Sequence, residues 1–335
     1  MKKMSTVIYL NEPRNIQFKE EAVTGCNDGD VLCETLVSVI SPGTEVSAYI
    51  GMKPLRKGVN YPRLQGYCNV AKVVEIGSSV SNYSVGDRVL TFQSHRSHFL
   101  INENKILYKL TSTDESEKIA CSYLYHLGYN AVLRSNIRAG SRVLVVGLGV
   151  LGLTSVAMSS LAGATVVGLS NYEKPRKIAR EFGACLSIDR NSINEIKSVF
   201  SEGLADVIIV TTNSWVDWKI ALEMSASFGV IACLGFPGRD SSPDDFNPLD
   251  SEYFYMKQLR IGSVGFSPEV NDSRGFLRFN EKDNIQYIVN LINKQSLNPE
   301  KLISNIYNFS EIELAYENLI DRKKSPITHL LTWKK

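Results

Sequence analysis

The sequence predicts an α/β protein in which a doubly wound parallel sheet is joined to a separate β-rich domain. Val143–Val146 is an uninterrupted apolar run, typical of a strand that is buried on both faces of a parallel sheet. The turn Gly147–Gly152 follows with the spacing G-x-G-x-x-G, and strand and helix patterns then alternate. Residues 1–110 differ, because they contain short strand patterns separated by turn residues.

Composition limits the classes of protein to consider. The 335 residues are 44% hydrophobic and 21% charged, which is ordinary for two globular domains, and the net charge of +2 gives no reason to expect a nucleic-acid partner. The N-terminus lacks a long apolar stretch and no window approaches ~18–20 apolar residues, so neither a signal peptide nor a membrane span is expected. Six scattered cysteines without a C-x-x-C pair indicate reduced thiols and a cytoplasmic location, and four histidines are few for a metal site.

The β-rich part is predicted to be a compact barrel. Val31–Ile40 has the composition of a strand that ends at the turn residues Ser41-Pro42-Gly43. Three further strand patterns follow at close spacing, namely Val70–Ile76, Arg88–Phe92 and Phe99–Asn102. Short strands with close turns favour a barrel, and a sandwich is the alternative at this point.

Alternating elements are expected on both sides of the glycine turn. A helix is predicted before it, over residues 114–136, from apolar residues at helical spacing. After it we expect the helices and strands Leu151–Ala162, Ala164–Leu169, Lys174–Phe182, Asp206–Thr211, Val216–Ser227, Val230–Leu234 and Gln258–Val264. From about Ser267 the pattern changes to two amphipathic helices and a terminal strand. The predicted division is a β-rich domain of residues 1–122 and 268–335 and an inserted nucleotide domain of residues 123–267.

The glycine turn predicts a dinucleotide site. Gly147 allows the tight turn, Gly149 lets the backbone approach a pyrophosphate, and Gly152 lets the helix pack on the strand. The helix that follows presents free N–H groups and a partial positive charge to the phosphates. The alternative is a glycine-rich turn within an α/β core. The predicted cofactor contacts in the turn are Gly147, Leu148, Gly149, Val150, Leu151 and Gly152.

Several segments together resemble the medium-chain dehydrogenase/reductase superfamily over essentially the whole chain. They are Ser41–Glu45, similar to C-G-[ST]-D, Tyr61–Cys68, similar to P-x-x-x-G-H-E, Val73–Gly77, Val85–Val89, Gly147–Gly152 and Lys177–Ala184. The resemblance implies a GroES-like β-barrel catalytic domain and a Rossmann nucleotide-binding domain. It also implies a small-molecule substrate and a homodimer formed through the last strand of the sheet, near Leu259–Val264.

The sequence departs from the zinc-dependent members of this superfamily at the metal ligands. Alignment places Pro42 at the cysteine position and Tyr67 and Cys68 at the His-Glu positions, and a further ligand would fall near Ser122. Proline has no ligating side chain, and a catalytic zinc needs about three protein ligands. The resemblance therefore implies the zinc-free branch with no metal, and leaves ligation by Cys68 and Cys121 as the alternative.

The end of the second strand of the nucleotide domain predicts NADP(H). Ser170 stands where NAD-binding domains carry an acidic residue for the ribose hydroxyls. Ser170 and Asn171 can hydrogen-bond a 2′-phosphate, and Lys174 or Arg176 supplies positive charge. The alternative is NAD, with Glu173 reaching the ribose. Residues expected at the carboxyl ends of later strands, in the cofactor crevice, are Thr211, Thr212, Asn213, Gly235 and Phe236.

Without zinc, the substrate oxygen needs a hydrogen-bond donor from the protein. By resemblance, Thr44 occupies the hydroxyl position next to the reacting oxygen, and Tyr67 either points into the cleft or fills the volume of the missing metal. His95 and His98 are candidates for proton exchange because histidine titrates near neutral pH, and surface histidines without a role are the alternative. Glu45 matches a family Asp that is structural.

Substrate contacts are predicted for Tyr49, Arg96 and His126. Arg96 lies between the two candidate histidines, and Tyr49 follows Thr44 in a segment that also contains Lys53 and Arg56. His126 lies in the helix before the glycine turn, where it either packs against the core or faces the cleft.

Together these features predict a zinc-independent, NADP(H)-dependent oxidoreductase that interconverts an alcohol and a ketone or aldehyde, with a sugar or polyol as the suggested substrate. One alternative is a quinone or enoyl reductase of the same superfamily, which reduces a C=C bond and needs no proton donor at a carbonyl. Another is a non-catalytic NADPH-binding sensor.

Overall fold

The computed structural model describes residues 3–52, 61–239, 246–321 and 324–333, and the chain divides into two compact units. The first unit comprises Met1–Tyr123 and Lys282–Lys335, and the second comprises Leu124–Glu281. Residues 268–281 fold back on themselves, since the Glu281 N–H donates to the Pro268 carbonyl over 2.7 Å. The second unit therefore ends later than the change of sequence pattern near residue 267.

The first part of the chain is mainly β-structure. Its elements are β1 (Lys3–Glu12), β2 (Asn15–Val23), β3 (Asp30–Val39), α1 (Pro42–Tyr49), β4 (Arg63–Leu64), β5 (Cys68–Ile76), β6 (Arg88–Thr91), β7 (His98–Asn102), β8 (Tyr108–Lys109), α2 (Ser116–Ala120) and α3 (Ser122–Arg134), which continues into the second unit. The turn predicted at Ser41-Pro42-Gly43 instead begins helix α1, because proline has the backbone angle of a first helical residue. The helix predicted over residues 114–136 is two helices that are separated at Cys121.

The second unit is a doubly wound parallel sheet. Its elements are β9 (Arg142–Val146), α4 (Val150–Leu161), β10 (Thr165–Leu169), α5 (Glu173–Glu181), β11 (Leu186–Ile188), β12 (Ala205–Val210), α6 (Trp215–Met224), β13 (Ser225–Cys233) and β14 (Arg260–Ser263). In the described residues the strand order is β11-β10-β9-β12-β13-β14, and every pair is parallel. The order reverses between β9 and β12, which is where the crevice of such a sheet binds ligands. The doubly wound sheet predicted from the sequence is confirmed.

Helix α6 ends earlier than the predicted Ser227. The Lys257 ammonium donates to the carbonyls of Leu222, Glu223 and Ser225 at 2.8–2.9 Å. These carbonyls lie at the carboxyl end of α6, where a cation is favourable. A lysine distant in sequence therefore stabilises the helix end, and β13 begins at Ser225.

The last part of the chain returns to the first unit. Its elements are α7 (Glu281–Asn293), β15 (Ile303–Asn308), α8 (Ile312–Ile320) and β16 (Thr328–Thr332). Strand β16 pairs with β3 in a sheet of order β15-β16-β3-β5-β6-β8, to which β7 is added through β3. A second sheet has the order β2-β1-β4. This architecture agrees with the predicted GroES-like barrel.

Each unit has its own apolar core. Phe200, Ile208 and Trp218 are buried against the parallel sheet, whereas Ile8 and Tyr316 are buried in the first unit. Among the described helices, none has the length and apolar character that would let it cross a membrane. Short 3₁₀ segments occupy Glu103–Lys105, Arg190–Ser198, Ser201–Gly203, Pro299–Lys301 and Phe309–Glu311, and a π-helical turn occupies Ser251–Tyr255.

Candidate functional site

The glycine turn between β9 and α4 has the shape of a dinucleotide cradle. Gly147 has φ +91°, and a Cβ there would lie 2.6 Å from Thr211 Oγ1. A Cβ on Gly152 would overlap the Gly147 carbonyl oxygen, whereas a Cβ on Gly149 would have no neighbour within 4 Å. The first and third glycines are therefore required by the fold, and the second borders open space. That is what a bound pyrophosphate needs, so the turn fits a nicotinamide dinucleotide.

Side chains of the later strands support this turn. Thr211 Oγ1 donates to the carbonyls of Val146 and Gly147 at 3.1 and 2.9 Å. Asn213 Oδ1 accepts the Phe236 N–H at 3.2 Å, and a Cβ on Gly235 would lie 2.6 Å from the Thr211 carbonyl carbon. These residues shape the crevice through the backbone. Thr212 Oγ1 is buried and, among the described residues, has no hydrogen-bond partner.

Two predicted cofactor contacts in the turn are buried. Leu148 and Val150 belong to the apolar core, and Leu148 packs against the backbone of Gly168. Leu151 is half-buried in the first turn of α4. Their side chains cannot reach a cofactor through the packed core, so only the backbone N–H groups of this stretch are available to phosphates.

A cation lies beside the end of β10. Arg176 Nη1 donates to the Ser170 carbonyl at 3.1 Å, and this guanidinium also pairs with Glu173 at 2.7 Å and Asp189 at 3.4 Å. Arg180 is the second partner of Glu173, and both arginines lower the pKa of its carboxyl. Asn171 and Lys174 are exposed on the same loop and helix start, and Ser170 is half-buried.

In the first unit, three hydroxyls meet at the start of α1. We call Ser41, Thr44 and Tyr67 the hydroxyl cluster. The Tyr67 phenol donates to Ser41 Oγ at 2.5 Å. The side chains of Ser41 and Thr44 each act to lower the pKa of the phenol. Burial raises the pKa of Tyr67 well above its ordinary value, and the Cys68 thiol adds to the rise. The phenol is therefore a protonated hydrogen-bond donor at neutral pH.

Aromatic rings fix the orientation of Tyr67. Its ring stacks on Phe92 with centroids 5.4 Å apart and meets the edge of Tyr123 at 5.6 Å. Phe92 is exposed and Tyr123 is buried, so the tyrosine ring lies between solvent and core. Sequence reasoning missed Ser41, Phe92 and Tyr123. For Ser41 the signal was its place three residues before Thr44, and for the rings there was none.

The zinc site of related enzymes does not fit these residues. Pro42 is the first residue of α1, and Tyr67 is hydrogen-bonded to Ser41. The Cys121 thiol is buried, which raises its pKa to about 12, whereas a metal ligand must be a thiolate. Across the part of the chain that the structure describes, no three His, Cys, Asp or Glu side chains come together.

The structure corrects the expectation that His95 exchanges protons with substrate. The ring is fully buried, and Nε2 lies 2.8 Å from Glu45 Oε2. Glu45 also accepts from the Tyr316 phenol at 2.8 Å. As expected for a structural residue, Glu45 is hydrogen-bonded within the protein, and its two side-chain partners, His95 and Tyr316, come from distant parts of the chain.

Tyr49 is likewise buried rather than directed to substrate. Its phenol donates to Glu317 at 3.1 Å, and its ring lies 5.1 Å from that of Tyr316, with 3% of the residue exposed. Burial and Glu317 raise the pKa of Tyr49 to about 12. Lys53 and Arg56 lie outside the described residues.

His98 and Arg96 are not brought to the hydroxyl cluster. His98 lies on β7 opposite Glu34, with Nε2 3.8 Å from the carboxylate. Glu34 precedes Ser41 by seven residues along and beyond β3, roughly 20 Å of extended chain. Arg96 donates to Ser94 Oγ at 2.8 Å, burial lowers its pKa, and its charged neighbour is Glu21.

His126 is packed inside the second unit. It is 1% exposed, and Nε2 lies 3.3 Å from the Asn130 amide nitrogen. Asn130 in turn accepts from Ser267. Burial lowers the pKa of His126 to about 4. The predicted substrate contact is corrected, because a buried neutral imidazole in a packed helix offers no accessible edge.

Comparison with known proteins agrees with this architecture. Residues 150–281 match the family described as zinc-binding dehydrogenase. The D-guloside 3-dehydrogenase of Escherichia coli (strain K12) is 27% identical over 273 residues, which cover 79% of this chain and 76% of the relative. The sorbitol dehydrogenase of Halalkalibacterium halodurans is 23% identical over 309 residues, with coverage of 82% and 84%.

Solved structures share the fold over the full length. An alcohol dehydrogenase of Escherichia coli CFT073 complexed with NADH has a TM-score of 0.78 at 17% identity, covering 98% of this chain and 99% of that one. A protein of Sinorhizobium meliloti 1021 bound to NADP has a TM-score of 0.79 at 19% identity, covering 99% and 100%.

A dinucleotide-binding sheet with an open glycine turn, combined with a GroES-like barrel, defines a dehydrogenase-type oxidoreductase. The family match over residues 150–281 and the relatives agree with the predicted resemblance to the medium-chain dehydrogenase/reductase superfamily and its alcohol dehydrogenases.

Proposed function

We propose that this protein is a zinc-independent, NADP(H)-preferring dehydrogenase that interconverts an alcohol and a ketone or aldehyde. The observation that carries the proposal is the hydrogen bond to Ser41 from Tyr67, the residue that the resemblance aligns with a metal ligand of the family. A sugar or polyol substrate is supported by relatives that are named for D-guloside and sorbitol.

In this proposal the barrel unit handles the substrate oxygen. When bound, the nicotinamide supplies or accepts the hydride. Burial keeps the Tyr67 phenol protonated. When a carbonyl substrate is bound, the single O–H of Tyr67 turns from Ser41 Oγ to the carbonyl oxygen and passes its proton to the alkoxide that forms, and the Ser41 hydroxyl then donates to the phenol oxygen. Thr44 is a second donor, and Ser41 orients the phenol.

Preference for NADP(H) is proposed from the charges near the end of β10. Ser170 has no carboxylate to repel a 2′-phosphate, Arg176 lies against its carbonyl, and Lys174 is exposed nearby. Glu173, the residue that would serve NAD, is held by Arg176 and Arg180. Catalytic efficiency measured with NADPH and NADH tests this, and a clear preference for NADH would refute it.

A homodimer formed along β14 is also proposed. Among the described strands β14 pairs with β13 alone, so its outer edge is open. The segment that follows exposes large apolar side chains, with Phe266 69%, Phe276 72% and Phe279 55% exposed. Light scattering at micromolar concentration should give twice the chain mass. A cytoplasmic location is proposed from the six cysteines, which form no disulfide among the described residues.

The deciding experiment combines metal analysis of the purified protein with an NADPH-oxidation screen over ketosugars, aldehydes, quinones and enoyl thioesters. We expect turnover of carbonyl substrates without stoichiometric metal. Stoichiometric zinc would show that the ligand alignment at Pro42 and Tyr67 is wrong. Turnover of quinones or enoyl thioesters alone would assign the protein to the C=C reductases, and NADPH binding without turnover would indicate a sensor.

A further inference from the structure

We infer that His95 is a positioning residue which, through Glu45, holds both ends of the Tyr67–Ser41 hydrogen bond in register. The inference rests on the proposed function of the hydroxyl cluster, and it concerns His95 and Glu45, which lie outside that cluster.

The first step concerns the Glu45 carboxylate, which is 1% exposed. Oε1 accepts the backbone N–H of Ser41 at 2.6 Å, and Oε2 accepts from His95 Nε2 and the Tyr316 phenol, each at 2.8 Å. A buried carboxylate is tolerated only with such donors. Because Nε2 faces a carboxylate, it carries the proton. The carboxylate therefore fixes the backbone of Ser41.

The second step concerns the segment that carries Tyr67. The His95 N–H donates to the Gln65 carbonyl at 2.7 Å. Its ring lies so close to Gly66 that a Cβ there would be 2.5 Å from the imidazole, and Gly66 has φ +79°. The imidazole thus occupies the space that a side chain at position 66, directly before Tyr67, would need. His95 holds the Tyr67 segment with its backbone and ring and holds Glu45 with Nε2.

The third step concerns the helix-capping hydrogen bond that the Ser41 side chain does not make. Ser41 is the N-cap of α1, where a serine hydroxyl ordinarily accepts an N–H of the first helical turn. Here the side chain makes no capping hydrogen bond and instead accepts from the Tyr67 phenol. The helix therefore does not orient this hydroxyl by capping, and its position depends on the backbone that Glu45 holds.

The test uses the full-length protein with 3-fluorotyrosine placed at position 67 alone. ¹⁹F NMR then reports the environment of this phenol whether or not a substrate is known. We expect His95→Leu to shift and broaden the resonance and to lower kcat for carbonyl reduction roughly 10- to 100-fold. The affinity for NADPH and the substrate KM should change less than about twofold, since only the orientation of the donor is altered.

Two further variants separate positioning from packing. His95→Gln keeps an N–H donor at the same distance along the side chain, so it should restore the resonance and bring kcat within about threefold of wild type. Tyr316→Phe removes one donor from Glu45 but leaves the link to Gly66, so its kcat should also stay within about threefold. If Tyr316→Phe is as damaging as His95→Leu, loss of donors to Glu45 explains the effect and the inference fails.

A matched control is His329→Leu, which removes another buried histidine of this unit, one that hydrogen-bonds Asn318. It should lower the melting temperature without moving the Tyr67 resonance. If His95→Leu likewise lowers only the melting temperature, His95 merely packs and the inference is overturned. If the wild-type protein turns over no carbonyl, the proposed function fails, and the ¹⁹F spectra still decide the role of His95.

Discussion

The two candidate sites, the dinucleotide turn of the second unit and the hydroxyl cluster of the first, differ in how far apart along the chain their residues lie. The dinucleotide turn consists of the six residues Gly147–Gly152, with Thr211 supporting it from the next strand. The hydroxyl cluster joins residues 41, 44 and 67, and its support includes residues 92, 95, 123 and 316. A site built from backbone needs glycines at fixed spacing and is visible in sequence. A site built from side chains depends on packing between distant segments.

The largest expected effect comes from a substitution in the dinucleotide turn. Gly152→Ala places a methyl group against the Gly147 carbonyl oxygen, so the turn must open. We expect NADPH affinity to fall roughly 1000-fold, about 4 kcal/mol. Gly149→Ala is the matched control, because its methyl group meets no protein atom within 4 Å. It should keep the wild-type melting temperature while weakening NADPH binding. Fluorescence titration measures the NADPH affinity and circular dichroism the melting temperature. Wild-type affinity in Gly152→Ala would show that this turn does not bind the dinucleotide.

The next largest effect is on catalysis and comes from the hydroxyl cluster. Tyr67→Phe removes the proposed donor but keeps the ring between Phe92 and Tyr123, so kcat for carbonyl reduction should fall about 100-fold with NADPH affinity unchanged. Because the phenol pKa is raised above its ordinary 10.0, the wild-type rate should show no loss from its deprotonation up to that pH. Tyr9→Phe is the control, because it removes a phenol that donates to Glu21 and leaves the three hydroxyls and both neighbouring rings in place. An unchanged rate in Tyr67→Phe would favour C=C reduction.

The third effect is on the pH dependence of stability and comes from His126, a buried histidine of the second unit. The unfolded chain protonates His126 near pH 6.5, whereas the folded chain does so near pH 4. The unfolded state therefore binds more protons between these values, and the free energy of unfolding falls as pH falls. We expect a loss of about 2 kcal/mol between pH 7 and pH 5. Urea denaturation measures it, and His126→Gln should remove this part of the pH dependence. The same slope in His126→Gln would assign it to other groups.

The smallest expected effect concerns cofactor choice. Lys174→Ala and Arg176→Gln remove positive charge near Ser170, so each should lower the preference for NADPH over NADH about tenfold. Arg180→Ala is the matched control, because Arg180 also binds Glu173 but contacts Ser187 rather than Ser170. Catalytic efficiencies with both cofactors give the ratio. An equal loss in Arg180→Ala would mean that release of Glu173, rather than the phosphate charge, sets the preference.

Several residue roles could not be obtained from sequence. Tyr49, His95 and His126 all have chemistry that suits an active site, and the structure buries each with a specific partner. Their partners are the side chains of residues 317, 45 and 130, and two of these lie 50 or more residues away along the chain. Titratable residues in a motif-rich stretch look alike in sequence whether they face a cleft or a core, because burial is set by which strands pair.

The sequence by itself determined the parallel sheet, the glycine turn and the absence of the usual zinc ligands at positions 42, 67 and 68. These features depend on apolar runs, on glycine conformation and on side-chain type, all of which are local properties. Tertiary structure decided that the Ser41 hydroxyl accepts from the Tyr67 phenol instead of capping α1, that Glu45 pairs with His95, and that Lys257 binds the carboxyl end of α6. Those contacts join segments far apart in the chain, and the energies that select them arise only when each unit has packed its own core.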